Sequence, residues 1–265
     1  MFSKEKELNN IHFDEEIMNF FINKLSIKKP KNEDQTYYFE ESNSLKKFMV
    51  LMMAASYINL HLCVIGPPGG GKTSSARAFS RIRGEILNMK NPFIMHTFNE
   101  ETKTQDFFGL TTLIKGKISF NKGTLTQAVD QGCVFIADEF NLSKTSIMKS
   151  IAPVLEICFN EKIIIPGIED KCNINHNFFF IICQNDSNIL GRKQIPQDVE
   201  SKLRIVSYPK PELNEIKDLC KEIYKDLSQE KKLITDQQSE EEAEKIGEFM
   251  MRFNNIPQRI LPKWS

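Results

Sequence analysis

One octapeptide restricts this chain more than anything else in it. Gly66-Pro67-Pro68-Gly69-Gly70-Gly71-Lys72-Thr73 separates an apolar tetrapeptide, Leu62 to Ile65, from a stretch with helical spacing that runs to Ile82. Glycines let a backbone turn tightly and present bare N–H groups to whatever sits inside the turn. A strand, a bare loop and a helix in that order aim those N–H groups, and the positive end of the helix dipole, at one point. A compact polyanion suits that point. The octapeptide fits the pattern G-x-x-x-x-G-K-[ST], in which the lysine sits on the outer phosphates of a nucleotide and the hydroxyl ligates Mg²⁺. Gly66, Pro67, Pro68, Gly69, Gly70, Gly71, Lys72, Thr73 and Ser74 are therefore the expected nucleotide cradle, with ATP and Mg²⁺ as the expected ligands.

Around this loop, short apolar runs alternate with amphipathic ones. A helix is expected from about Ser44 to Asn59, with Leu45, Phe48, Met49, Met52 and Ser56 on one face. Strands are expected at Leu62 to Ile65, Phe93 to Phe98, Cys133 to Ala137, Phe178 to Cys183 and Ile205 to Tyr208. Leu113 to Phe120, and Lys162 to Ile165 with Lys171 to Ile174, read as hairpins. Ile147, Ile151, Val154, Leu155 and Cys158 mark a further helix. Fully apolar strands alternating with helices predict a parallel sheet covered on both faces, an α/β core of three layers. The expected division is a polar extension over residues 1–40, the nucleotide-binding core over 41–208 and a small helical lid over 209–265. The methionine-rich face Met49, Met52 and Met53 reads as ordinary core.

Two further strand ends carry chemistry. Val134-Phe135-Ile136-Ala137 runs into Asp138-Glu139, about 65 residues after the glycine loop. A buried strand ending in two carboxylates delivers Asp138 to the Mg²⁺ shell and Glu139 to the attacking water as a general base. Phe178 to Cys183 runs into Gln184-Asn185. If this strand lies between the other two, Asn185 can hold the terminal phosphate or the lytic water.

Composition narrows the classes. Lys+Arg and Asp+Glu both number 35, which gives no bulk signal for nucleic acid or an anionic membrane. The longest apolar stretch, Phe48 to Leu60, is too short to span a bilayer, and Met1 to Asn10 lacks an apolar leader core. Six dispersed cysteines with no Cys-x-x-Cys pair read as buried, reduced thiols of a nuclear or cytoplasmic protein. His12, His61, His96 and His176 show no metal-ligand spacing and no nucleophile context.

These elements, in this order, resemble the AAA+ superfamily, and within it the dynein-related, midasin-like branch; the MoxR type is more distant. The segment Thr104-Gln105-Asp106-Phe107-Phe108-Gly109 is similar to a branch segment ending in Asp-Leu-Leu-Gly. So are Gly123-Thr124-Leu125 before the acidic strand, Asp138-Glu139-Phe140-Asn141-Leu142, Gln184-Asn185 and Gly191-Arg192-Lys193 to their counterparts, and Gln258 to Trp264 near the end. The resemblance covers residues 38 to 265 and implies several roles. Asn185 falls on sensor 1 and Arg259 on sensor 2, although Pro262 departs from the pattern. The two hairpins fall on the helix-2 insert and the pre-sensor hairpin. Partners would be other AAA+ modules in a ring and a protein or pre-ribosomal cargo.

One departure bears on catalysis. Where the family places a finger arginine for its neighbour's nucleotide, this chain has Ser201-Lys202-Leu203-Arg204, with Lys202 at the finger position and Arg204 two residues on. A lysine is a point charge without the planar fork of arginine. The leading expectation is a remodelling ATPase. A nucleotide-gated structural module with little turnover, and a GTPase of the restriction-translocase type, are compatible with the same residues. Lys28-Lys29-Pro30-Lys31 resembles a short nuclear import signal, although clusters of this kind are more often plain surface charge. Replacing Lys72 by alanine is expected to weaken ATP binding by roughly a hundredfold in a folded chain, measured by titration with a fluorescent nucleotide.

Overall fold

The computed structural model describes residues 43–114, 117–156, 162–163, 172–186 and 191–210. The expected N-terminal extension, the import-like cluster at residues 28–31, nearly all of the expected lid and Arg259 lie outside them. Helix α1 spans Asn43–Tyr57, β1 Leu62–Ile65, α2 Lys72–Ile86, β2 Phe93–Thr97 and α3 Thr104–Phe108. The hairpin β3–β4 follows at Gly109–Ile114 and Lys117–Lys122, then α4 at Thr124–Gln131 and β5 at Val134–Asp138. A 3₁₀ turn at Phe140–Leu142 leads to α5 (Thr145–Ser150) and α6 (Ala152–Leu155). Strands β6 (Lys162–Ile163) and β7 (Cys172–Asn173), β8 (Phe179–Gln184), α7 (Gln197–Glu200) and β9 (Arg204–Ser207) complete the order.

Five strands form one sheet in the order β2-β5-β8-β1-β9, and every pairing in it is parallel. Side chains alternate across each strand, so each strand feeds two cores. On one face Leu62, Val64, Val134, Ile136, Phe179 and Ile181 pack with Phe48, Met49, Met52 and Met53 of α1 and Phe79 and Ile82 of α2. On the other face Cys63, Phe135, Ala137, Phe180 and Ile182 pack with Phe98, Phe107, Phe108, Leu125, Phe140, Met148 and Ile151. The three-layer reading is thus realised. The methionine face lies in the first core, and Cys63, Cys133 and Cys183 are buried free thiols. Among the described residues no helix is long and apolar enough to cross a membrane.

Helix ends follow local chemistry. Asn59 and Asn88, just beyond α1 and α2, have positive φ of 55° and 54°, the left-handed conformation in which asparagine ends helices. The single helix expected from Ile147 onward is instead two, α5 and α6, joined at Ile151. Pro153 stands in the first turn of α6, where its missing N–H is harmless; inside a continuous helix it would delete a hydrogen bond and strike the preceding turn. The first hairpin is longer than its apolar signal, pairing Gly109 with Lys122 and Ile114 with Lys117. The second is described only as the pairs Lys162–Asn173 and Ile163–Cys172.

His61 precedes β1 and is 5% exposed. Its Nδ1 accepts the Phe180 N–H at 3.2 Å, and its carbonyl accepts the Arg204 N–H at 2.8 Å, so it ties β8 and β9 to β1. Burial lowers its pKa from 6.5 to about 4. The unfolded chain therefore binds the proton first as pH falls, and the stability held above pH 6.5 is lost progressively toward pH 4. The loss is on the order of 3 kcal/mol. His61→Gln, which keeps an acceptor for Phe180 N–H but cannot titrate, is expected to remove that part of the pH dependence in urea unfolding between pH 6.5 and 4.

Candidate nucleotide site at the strand tips

Register decides what the strand tips share. Ile65 pairs with Gln184, and Asp138 with Cys183, so β8 lies between β1 and β5 and all three end level. Gly66, Asp138, Glu139 and Asn185 therefore emerge at one edge, satisfying the condition under which Asn185 can take part. The loop between Gly66 and Lys72 turns through Gly69 and Gly71, whose φ angles are 71° and 97°. Side chains disfavour both conformations. Pro67 and Pro68 are exposed at the outside of the turn, and the Gly70 N–H closes it onto Pro67 O at 3.2 Å. Helix α2 starts directly at Lys72, with Thr73 and the exposed Ser74 in its first turn.

Lys72 is 7% exposed and donates to Gly66 O at 3.0 Å, Pro67 O at 2.7 Å and Asn185 Oδ1 at 2.9 Å. The Asn185 amide then turns its nitrogen to the Glu139 carboxylate, with 3.4 and 3.3 Å to the two oxygens. That orientation is the one that can satisfy both neighbours, since an ammonium only donates and a carboxylate only accepts. Lysine, amide and carboxylate thus form one relay. Beside it, Thr73 Oγ1 donates to Asp138 Oδ1 at 2.8 Å. Burial pulls the Lys72 ammonium below its usual range, against the charges of Glu139 and Asp138 and with that of Arg192. Burial also pushes Asp138 above the usual carboxylate range, opposed by the Thr73 hydrogen bond.

Glu139 has a left-handed backbone, φ 54° and ψ 32°, uncommon outside glycine and asparagine. Its N–H donates to Cys183 O at 2.9 Å and its carbonyl accepts the Leu142 N–H at 2.9 Å. These two bonds hold the residue where the strand ladder stops and the 3₁₀ turn begins.

Three participants carried no site assignment from sequence. Arg192 pairs with Glu139 and also donates to Asn141 Oδ1 at 3.3 Å. Asn141 is fully buried, and its amide nitrogen donates to Asn185 O at 2.9 Å. Tyr208, just past β9, shares a hydrogen bond of 2.9 Å with Ser75 of α2 and meets the Phe48 ring edge-on. The Gly-Arg-Lys run at 191–193 was the available signal for Arg192. Of the two finger candidates, Lys202 is paired with Glu156, and Arg204 opens the edge strand β9 opposite Leu62, three residues from the loop-bearing tip of β1.

The residues fit a nucleotide with Mg²⁺. The loop offers backbone N–H groups and a buried ammonium, and the Thr73–Asp138 pair offers two hard oxygen donors. Among the described residues no group of three or more His, Cys, Asp or Glu side chains could hold a metal unaided. The two oxygens of the Thr73–Asp138 pair suit Mg²⁺, which takes one or two protein oxygens and fills its shell with phosphate and water. Sheet order, glycine loop and acidic strand tip together define a P-loop nucleotide-binding core.

Residues 61–199 match the family described as AAA domain (dynein-related subfamily), and the chain belongs to that family. It is 28% identical to midasin of Dictyostelium discoideum over 174 residues, 64% of this chain and 3% of that protein's length. A crystal structure of a "putative ATPase" from Cytophaga hutchinsonii superposes with a TM-score of 0.51 at 15% identity, covering 88% of this chain and 64% of that one. That likeness speaks for the fold.

Asn141 joins the 3₁₀ turn after the acidic tip to the Asn185 tip. Asn141→Ala leaves the buried Asn185 carbonyl without its donor and is expected to destabilise the fold by about 1–3 kcal/mol, read from urea unfolding.

Proposed function

We propose that the chain is a Mg²⁺-dependent ATPase module whose nucleotide cycle remodels a protein or ribonucleoprotein assembly. The observation that carries this reading is the Lys72–Asn185–Glu139 relay, set beside the Thr73–Asp138 pair at one sheet edge. A site for binding alone has no use for a carboxylate at the end of that relay. When bound, Mg²⁺ would be held by Thr73 and Asp138 and would neutralise charge on the outer phosphates. Lys72 places its ammonium on the same phosphates. Asn185 positions the attacking water, and Glu139 takes its proton as the water oxygen bonds to the γ-phosphorus and the bond to the β-phosphate oxygen breaks. ADP and phosphate leave.

Ring neighbours are part of this reading. Arg259, outside the described residues, and a neighbour's finger would complete the charge around the γ-phosphate. The midasin likeness extends the proposal to pre-ribosomal particles as cargo. A second reading, a nucleotide-gated structural module with little turnover, draws on the pairing of Lys202 with Glu156, which occupies the finger lysine. It draws also on the guanidinium already seated on Glu139.

Phosphate release at increasing protein concentration separates the two. Under the ATPase reading Glu139→Gln keeps ATP binding and loses about 10²- to 10⁴-fold in turnover. Equal and negligible turnover in both proteins, with tight ATP binding, would sink it in favour of the structural module.

A further inference from the structure

We propose that Arg192 is a latch on Glu139 that opens only to a nucleotide carrying a γ-phosphate. This deepens the ATPase reading and rests on it. Arg192 has a side chain 13% exposed, and one of its terminal nitrogens donates to both the Glu139 carboxylate and Asn141 Oδ1. The chain directly after it is pinned: the Lys193 N–H donates to Asn141 O at 2.9 Å, and Lys193 Nζ to Ser143 O at 3.1 Å.

The latch closes the relay at its chemical end. Glu139 accepts from Asn185 on one side and Arg192 on the other. Both donors take up lone-pair capacity of the carboxylate that an attacking water would otherwise use. The same guanidinium lies one carboxylate and one amide away from the Lys72 ammonium. Without nucleotide, two cations face two carboxylates, Asp138 and Glu139, and the edge is in balance.

A triphosphate upsets that balance. Its terminal group carries about two negative charges and three oxygens against one charge on Glu139, and a planar guanidinium binds such a group through paired hydrogen bonds. The γ-phosphate competes for Arg192, the guanidinium turns to it, and the Glu139 carboxylate is free to meet the water. ADP ends one phosphate short and leaves the latch closed. The base is thereby exposed only while there is a bond for it to help break.

The test uses the full chain with Mg²⁺ and two probes, ADP and the non-hydrolysable triphosphate AMP-PNP. Arg192→Ala is expected to weaken AMP-PNP at least about tenfold and to leave ADP unchanged. Arg192→Lys, which keeps the charge and loses the fork, falls between. Glu139→Gln, which removes the carboxylate that competes for the guanidinium, is expected to tighten AMP-PNP, and that gain is absent when Arg192→Ala is added to it. A merely structural arginine would move both nucleotides together and leave the two substitutions additive. An unchanged ratio of AMP-PNP to ADP affinity in Arg192→Ala overturns the latch, as does a Glu139→Gln gain that survives in the double variant. Should Arg192→Ala fail to fold, the absence of any gain in Glu139→Gln overturns it by itself. Either result leaves the nucleotide reading intact. That reading falls separately, and the latch with it, if the unaltered chain binds neither probe.

Discussion

The insertion of β8 between β1 and β5 is the constraint on which the rest depends. Parallel strands advance together, so the pairing of Ile65 with Gln184 and of Asp138 with Cys183 fixes the tips to one level. A one-residue slip would turn each side chain to the opposite face. Phe179 and Ile181 would then leave the α1–α2 core, and Phe180 and Ile182 the other. The site inherits its placement from burial on both faces of one strand. Asn185 can reach Lys72 and Glu139 together because the sheet allows it no other depth.

At that edge the fold gathers charge that it satisfies from within. A lysine 7% exposed, two adjacent carboxylates and a half-withdrawn arginine are kept within one network of amides. Their mutual attraction limits the cost of burial, and the left-handed turn at Glu139 is held by one cross-strand hydrogen bond and one within the 3₁₀ turn. Residues spent in this way make sense where a larger anion is to arrive.

Much of this was readable beforehand, for stated reasons. The glycine loop is written in local backbone requirements, and the buried strands in uninterrupted apolar runs. Asp138, Glu139 and Asn185 follow because each ends such a run. Strand order was not readable, since a fully apolar strand shows no preferred neighbour; the place of Asn185 hung on it. The five-residue helix α3 was missed because Phe107 and Phe108 are buried in the core shared with Phe98 and α4, not by a helical repeat of their own. The break at Ile151 was missed because the apolar spacing runs straight through Pro153. Arg192 was visible as part of a motif, but its contact with Glu139 is made across the turn at Asn141, a distance of 53 residues in sequence.

Tyr208 is where the described core hands the chain onward. Its ring rests against Phe48 of α1, its hydroxyl meets Ser75 in the first turn of α2, and its Cβ lies where a side chain at Gly66 would have to go. Helix, loop and last strand meet in this single residue. A shift of the loop by a fraction of an ångström therefore cannot leave Tyr208 where it stands.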